Sequence, residues 1–89
     1  MNYQQLEEIC SSRDICIWGY GRVGKSYAYI TLRCAAANIL CYCDNNFRKN
    51  ETFMGIPLLR KEELLEKSNI YVFIAIRDLT AQEEISLLL

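Results

Sequence analysis

The chain contains no histidine, and this absence excludes most of the catalytic arrangements that 89 residues can carry. Histidine is the usual base beside a serine or cysteine nucleophile and a frequent zinc ligand next to cysteine. The five cysteines form no C-x-x-C pair, and no tyrosine is followed four residues later by lysine, the spacing that short-chain reductases use. We therefore expect no catalytic residues, no metal site, and cysteines that are reduced and packed.

The chain also lacks a long apolar run and an excess of positive charge. No apolar segment approaches the ~20 residues that span a bilayer, and residues 1–8 are too polar and acidic for a signal peptide. Ten Lys and Arg against eleven Asp and Glu give a net charge of −1, which provides no basic face for a polyanion. We expect a cytoplasmic protein that binds neither nucleic acid nor membrane.

What is present describes one small α/β domain over residues 1–89, either by itself or as a module of a larger enzyme. The hydrophobic fraction of 52% is enough for a core. Apolar runs predict buried strands, and apolar residues at helical spacing predict helices. The predicted order is a helix over 2–10, a strand over 14–18, a helix over 22–37, a strand over 39–43, a short extended edge over 53–59, a helix over 61–67, a strand over 70–76, and a last helix from the capping box at Thr80.

This order predicts a small three-layer, Rossmann-like half-fold. Right-handed crossovers between its three main strands would give a parallel sheet in the order 2-1-3 with flanking helices. In the helix over 22–37, the apolar residues Val23, Tyr27, Ile30 and Cys34 are expected to face the sheet.

A glycine-rich turn, Gly19-Tyr20-Gly21-Arg22-Val23-Gly24-Lys25-Ser26, follows the first strand and precedes a helix. Glycine lets the backbone approach a ligand, and the start of a helix offers unpaired N–H groups to an anion. The turn fits both the dinucleotide motif G-x-G-x-x-G and the P-loop motif G-x-x-x-x-G-K-S. A third interpretation is purely structural, in which the glycines only make a tight turn beneath a close-packed helix.

Asp44 favours the dinucleotide interpretation. It lies 20 residues after Gly24 at the end of the second strand, where an acidic side chain can accept hydrogen bonds from a ribose. It also has an ordinary explanation, because Asp-Asn-Asn is a common turn sequence. The P-loop interpretation needs an acidic residue directly after a strand to hold Mg²⁺, and after the strand over 70–76 Arg77 precedes Asp78.

The carboxyl ends of the first and third strands should form the ligand crevice. Arg22 and Lys25 are candidates to contact a diphosphate, and Tyr20 either stacks on the ligand or simply occupies the loop. Arg77 or Asp78 should lie near the distal group. The residues expected to bind a nucleotide are Gly19, Tyr20, Gly21, Arg22, Val23, Gly24, Lys25, Asp44, Asn45, Arg77 and Asp78.

Residues 15–85 resemble the small nucleotide-sugar-binding module found at the N-terminus of PglD-type sugar O-acyltransferases of bacterial polysaccharide biosynthesis. The resemblance rests on the glycine turn, Cys43-Asp44-Asn45-Asn46, Gly55-Ile56-Pro57-Leu58-Leu59 and Val72-Phe73-Ile74-Ala75-Ile76. It implies binding of a UDP-sugar without catalysis, because no acyltransferase β-helix follows Leu89. Arg77-Asp78-Leu79 departs from the Gly-Asp-Asn type of sequence that often follows the third strand.

Other functions remain open. The same glycine turn serves NAD(H)- and CoA-binding regulatory domains, and a three-stranded sheet has edges through which a non-binding module can dimerise or dock. We expect a small-molecule nucleotide as ligand and a homodimer, or docking to a sugar-modifying enzyme domain. A P-loop NTPase is the least favoured interpretation.

Overall fold

A computed structural model describes residues 2–76 of the chain. Two site predictions, Arg77 and Asp78, and the helix predicted from Thr80 lie outside the described residues. The elements in chain order are α1 (Tyr3–Ser12), β1 (Asp14–Trp18), a π-helical segment (Gly24–Ala28), α2 (Tyr29–Cys34), β2 (Ile39–Cys43), β3 (Thr52–Phe53), β4 (Ile56–Leu59), α3 (Lys61–Leu65) and β5 (Ile70–Ile74).

The strands form one mixed sheet of five strands in the order β3-β4-β2-β1-β5. The pairs β1–β2, β1–β5 and β2–β4 are parallel, and β3 is antiparallel to β4. The sheet as a whole is therefore not the predicted three-stranded sheet with the order 2-1-3, because it has five strands. The three strands that were predicted lie side by side and parallel within it, as β2-β1-β5. The segment predicted as a short extended edge instead makes a hairpin, β3–β4, whose second strand pairs with the outer side of β2.

The hairpin forms because its turn contains residues in the left-handed region. Met54 has φ 52° and Gly55 has φ 78°, and glycine adopts such angles without steric cost. Pro57 lacks an N–H group, yet the sheet tolerates it because it pairs with Thr52 of the edge strand β3, and the pairing of β4 with β2 begins one residue later, at Leu58. The turn chemistry thus adds two strands beyond those that the longer apolar runs predict.

Helices cover both faces of the sheet. The side chains of β1 point alternately to one face and to the other. Ile15 and Ile17 pack with residues of α1 and α2, whereas Cys16 and Trp18 pack with Leu64 of α3. All four β1 side chains are at most 2% exposed. The prediction of a strand buried on both sides is confirmed, and the molecule is a small α/β protein.

The helix after the glycine turn presents a different face to the sheet from the one predicted. Its buried residues are Gly24, Ala28 and Leu32, whereas Tyr27 is 70% exposed and Ile30 is 59% exposed. Small residues at the contact allow the helix to approach the sheet closely. The π-helical turn also holds more residues than an α-turn, which shifts the phase of the apolar stripe.

The described helices are short. Between residues 2 and 76, none has the length and apolar character needed to cross a membrane.

Candidate functional site

The glycine turn lies where three strands end. The N–H of Gly19 donates to the carbonyl oxygen of Cys43 at the end of β2, at 2.8 Å. The N–H of Ala75, just after β5, donates to the carbonyl oxygen of Trp18 at the end of β1, also at 2.8 Å. The carboxyl ends of β1, β2 and β5 therefore meet at one edge of the sheet.

Two of the three motif glycines are required by the fold itself. Gly19 has φ 128°, and a Cβ there would lie 2.5 Å from the carbonyl oxygen of Ala75. At Gly24 a Cβ would overlap the carbonyl oxygen of Gly19, so the first turn of the helix packs directly on the turn that precedes it. Packing alone accounts for glycine at both positions.

Gly21 has no such explanation. Its backbone does not require a positive φ, and a Cβ built there meets no atom of the described part of the chain within 4 Å. The space above it is open. The fold therefore tolerates a side chain at Gly21, in contrast to its two neighbours in the motif.

Unpaired main-chain N–H groups follow Gly21 into the helix. The first helical hydrogen bond after the turn runs from the N–H of Lys25 to the carbonyl oxygen of Gly21, at 3.0 Å. Within residues 2–76, the N–H groups of Gly21, Arg22, Val23 and Gly24 have no hydrogen-bond acceptor. These donors, together with the positive end of the helix dipole, form an environment that favours an anion.

Asp44 fastens the glycine turn to the end of β2. Its Oδ2 accepts a hydrogen bond from the N–H of Tyr20 at 2.7 Å, and its Oδ1 accepts one from the N–H of Asn46 at 2.9 Å. Each carboxylate oxygen has a second lone pair, so the carboxylate retains acceptor capacity. The bond from Asn46 agrees with the interpretation of Asp44 as a turn residue, whereas the bond from Tyr20 is a structural role that the sequence did not predict.

Tyr20 points into the protein. Its ring is only 5% exposed, its hydroxyl donates to Oε2 of Glu51 at 3.3 Å, and Nζ of Lys25 lies 3.8 Å from the ring centroid. Burial, and then the charge of Glu51, raises the pKa of Tyr20. The ring packs edge-to-face on Tyr42 with centroids 5.2 Å apart, so in this structure it does not present an open face for stacking.

Tyr42 supports the glycine turn from the interior of the protein. It is fully buried in β2, and its hydroxyl donates to the carbonyl oxygen of Gly24 at 2.8 Å. Burial raises the pKa of this phenol above its usual value of 10.0. The hydrogen bond joins the first turn of the helix to the middle of the sheet and holds the N–H groups of the turn in position.

Two clefts open on either side of Asp44. One, of about 190 Å³, is lined by Tyr20, Gly21, Asp44, Asn46 and Arg48. The other, of about 210 Å³, is lined by Asp44, Asn45, Phe47, Arg60, Lys61 and Glu62. The Arg60 guanidinium lies over the Phe47 ring, 4.2 Å from its centroid. Asp44 therefore separates two small clefts, each of which contains at least one cationic side chain.

Sequence reasoning missed Arg48 and Arg60. Arg48 belongs to the polar loop after β2, and Arg60 precedes α3, so neither belongs to a recognised motif. The available signal was their position, because loops that follow the carboxyl ends of parallel strands line the crevice. Arg48 makes a long ion pair with Glu51, at 3.9 Å between exposed side chains, and its guanidinium lies 5.8 Å from the Tyr20 ring centroid. An exposed pair of this length holds the side chain weakly.

The remaining predicted residues lie near the turn but differ in what they present. Arg22 is exposed at the start of the helix, Val23 is half-buried and packs against the core, and Asn45 is exposed in the second cleft. Lys25 is half-buried with its ammonium group against Tyr20. Of the predicted site residues within residues 2–76, the structure thus brings Tyr20, Gly21, Asp44 and Asn45 to the clefts, while Lys25 faces an aromatic ring.

Comparison of the chain with known protein families, with curated proteins and with solved structures finds no match. The resemblance to the nucleotide-sugar-binding module therefore rests on the sequence landmarks alone.

Proposed function

We propose that this protein binds a nucleotide, with the diphosphate held by the main-chain N–H groups of Gly21, Arg22, Val23 and Gly24. The observation that carries the proposal is Gly21, where no atom of residues 2–76 fills the space a side chain would occupy. In dinucleotide-binding turns the middle glycine lets the backbone approach the pyrophosphate. Close approach of a pyrophosphate would explain why glycine occurs at position 21, where the fold would accept a side chain.

The ligand would lie across Asp44, along both clefts. Each cleft is smaller than the ~300 Å³ at which pockets for whole small molecules typically begin, so neither accommodates a complete nucleotide. The diphosphate fits the cleft that contains Gly21 and Arg48, where the guanidinium adds a charge-assisted hydrogen bond. The free lone pairs of Asp44 then accept ribose hydroxyls.

Among nucleotides, we favour a nucleotide sugar of the UDP-sugar type, used in polysaccharide or cell-surface sugar biosynthesis. Support comes from the resemblance of the glycine turn, of Asp44 at its strand end and of the Gly-Ile-Pro hairpin to the PglD-type module. A Rossmann-like arrangement is part of this proposal. NAD(H) or CoA as ligand is the alternative, and the homodimer or docking to a sugar-modifying enzyme stays a prediction.

The position of Lys25 argues against a P-loop NTPase. In a P-loop the lysine reaches the β- and γ-phosphates. Here the Lys25 ammonium lies on the Tyr20 ring, and the side chain does not line the cleft that contains Gly21. A nucleotide bound at the turn would therefore be held by main-chain N–H groups and not by this lysine.

Titration calorimetry with UDP-glucose, NADH, CoA and ATP tests the proposal. We expect UDP-glucose to bind most tightly, and Arg48→Ala to weaken it by about 5- to 20-fold through loss of a charge-assisted hydrogen bond. Arg33→Ala is the matched control, because Arg33 is equally cationic and exposed at the end of α2, away from both clefts. Absence of binding by all four ligands would overturn the proposal.

A further inference from the structure

Three of the five cysteines meet on one face of the sheet, outside the proposed nucleotide site. Cys16 of β1 lies beside Cys41 of β2 in the parallel register, and Cys43 is two residues further along the same strand. Alternate residues of a strand point to the same face. The three sulfur atoms all lie within 4.8 Å of one another, and all three side chains are fully buried.

We propose that Cys16, Cys41 and Cys43 form a three-sulfur site for a soft, thiophilic metal ion, for which Cu(I) is the biological candidate. Thiolates select soft ions, and the chain contains no histidine to add a nitrogen ligand. Structural zinc sites use four protein ligands, and within residues 2–76 the cluster contains only these three donors. Cu(I) accepts three sulfurs in a trigonal arrangement.

The spacing of the sulfurs suits such an ion. A metal at the centre of a trigonal plane with bonds of about 2.3 Å holds its sulfur ligands about 4.0 Å apart. The observed separations of up to 4.8 Å therefore require each pair to close by less than about 1 Å. Binding releases thiol protons to solvent, and the ion then lies between two adjacent strands that the sheet already holds in register.

Packing alone gives a weaker account of this cluster. On the same face, the neighbouring strand β5 carries Ile70, Val72 and Ile74, the residue types that suit a buried strand. Cysteine at three adjoining positions departs from that pattern. The sequence predicts simple packed thiols, because it does not reveal that Cys16 lies beside Cys41 and Cys43.

A groove comes close to the cluster from the side of α3. A groove of about 400 Å³ lies on this face between α3 and β5, lined among others by Leu64, Val72 and Ile74. Val72 is the β5 residue that pairs with Cys16, and Leu64 packs on the cysteine cluster itself. One layer of side chains, part of it carried by the short helix α3, separates the groove from the sulfurs.

The test is titration of the reduced protein with Cu(I) under anaerobic conditions, with bicinchoninate as a competing chelator. The starting protein carries Cys10→Ala and Cys34→Ala, which remove the two cysteines outside the cluster. We expect one Cu(I) per chain, three copper–sulfur bonds in the X-ray absorption spectrum, and an affinity that falls at least about 100-fold in Cys41→Val. Valine suits a buried strand, so the variant should fold, and the near-ultraviolet circular dichroism of Trp18 checks this.

The X-ray absorption measurement does not depend on any cluster variant and so keeps the proposal testable if Cys41→Val fails to fold. Fewer than three sulfur ligands, no binding against the chelator, or an unchanged affinity in a folded Cys41→Val protein would each overturn it. None of these results bears on nucleotide binding, because the cluster and the glycine turn are separate sites.

Discussion

The main-chain N–H of Tyr20 donates a 2.7 Å hydrogen bond to Oδ2 of Asp44, and this bond ties the glycine turn to the end of β2. The same carboxylate holds the N–H of Asn46 through its other oxygen. Asp44 therefore shapes the turn before any ligand arrives. Loss of the Asp44 carboxylate should therefore both destabilise the fold and change the geometry of the proposed site.

Asp44→Asn should destabilise the protein by about 1 to 2 kcal/mol. The amide keeps only one acceptor oxygen, so either Tyr20 or Asn46 loses its partner. Urea denaturation measures the change. Asn45→Ala is the control, since Asn45 is exposed and should alter the free energy of unfolding by less than about 0.5 kcal/mol. Equal stability of the two variants would show that Asp44 is an ordinary turn residue.

Alanine substitutions should distinguish a motif glycine that the fold requires from one that it does not. Gly24→Ala should cost about 3 kcal/mol or more, because its Cβ would overlap the carbonyl oxygen of Gly19. Gly21→Ala should change the free energy of unfolding by less than about 0.5 kcal/mol, since its Cβ enters open space. Chemical denaturation of both proteins checks this contrast, and a strongly destabilised Gly21→Ala would contradict it.

Tyr42→Phe should weaken the fold by about 1 kcal/mol at neutral pH, because the Gly24 carbonyl loses its buried donor. Burial raises the pKa of Tyr42 above 10.0. Above that pH the unfolded chain releases the proton while the folded chain retains it, so this stabilising contribution declines as pH rises. Wild-type stability should therefore fall more steeply than that of the variant above pH 10.0, by up to about 1.4 kcal/mol per pH unit. Parallel slopes in urea denaturation would contradict this role.

Lys25→Met should retain nucleotide binding to within about 3-fold, because the Lys25 ammonium lies on the Tyr20 ring and not at the cleft. The methionine keeps a flexible apolar chain against the aromatic ring. Calorimetry measures affinity, and a phosphate-release assay with ATP and Mg²⁺ measures turnover. Mg²⁺-dependent turnover by the wild-type protein that disappears in Lys25→Met would favour the P-loop interpretation instead.

Much of the fold could be predicted from apolar patterning. The bounds of β1 and β2 match the predicted strands, because their residues are buried by neighbours on both sides of the sheet and are continuously apolar. The apolar pattern predicts no more than an extended edge where the structure has the hairpin of β3 and β4. Its formation depends on left-handed angles at Met54 and Gly55, which short-range patterns indicate poorly.

The face of the helix after the glycine turn could not be predicted in the same way. The pattern favoured Tyr27 and Ile30 as core residues, yet the helix contacts the sheet through Gly24 and Ala28. Close approach of two backbones selects the smallest side chains, which a count of large apolar residues overlooks. The glycines and Asp44 were found from spacing, whereas Arg48 reaches the site through the course of a loop.

The proposal of nucleotide binding at the glycine turn requires that Gly21 lacks a side chain because a ligand occupies the space above it. The most direct measurement is calorimetric titration of wild-type protein and Gly21→Ala with UDP-glucose, after denaturation has shown that the two are equally stable. The account predicts that wild-type protein binds and that the added methyl group, placed between the diphosphate and the N–H groups, weakens binding at least about 10-fold. Equal affinities in the two proteins, or no binding by wild type, would contradict it.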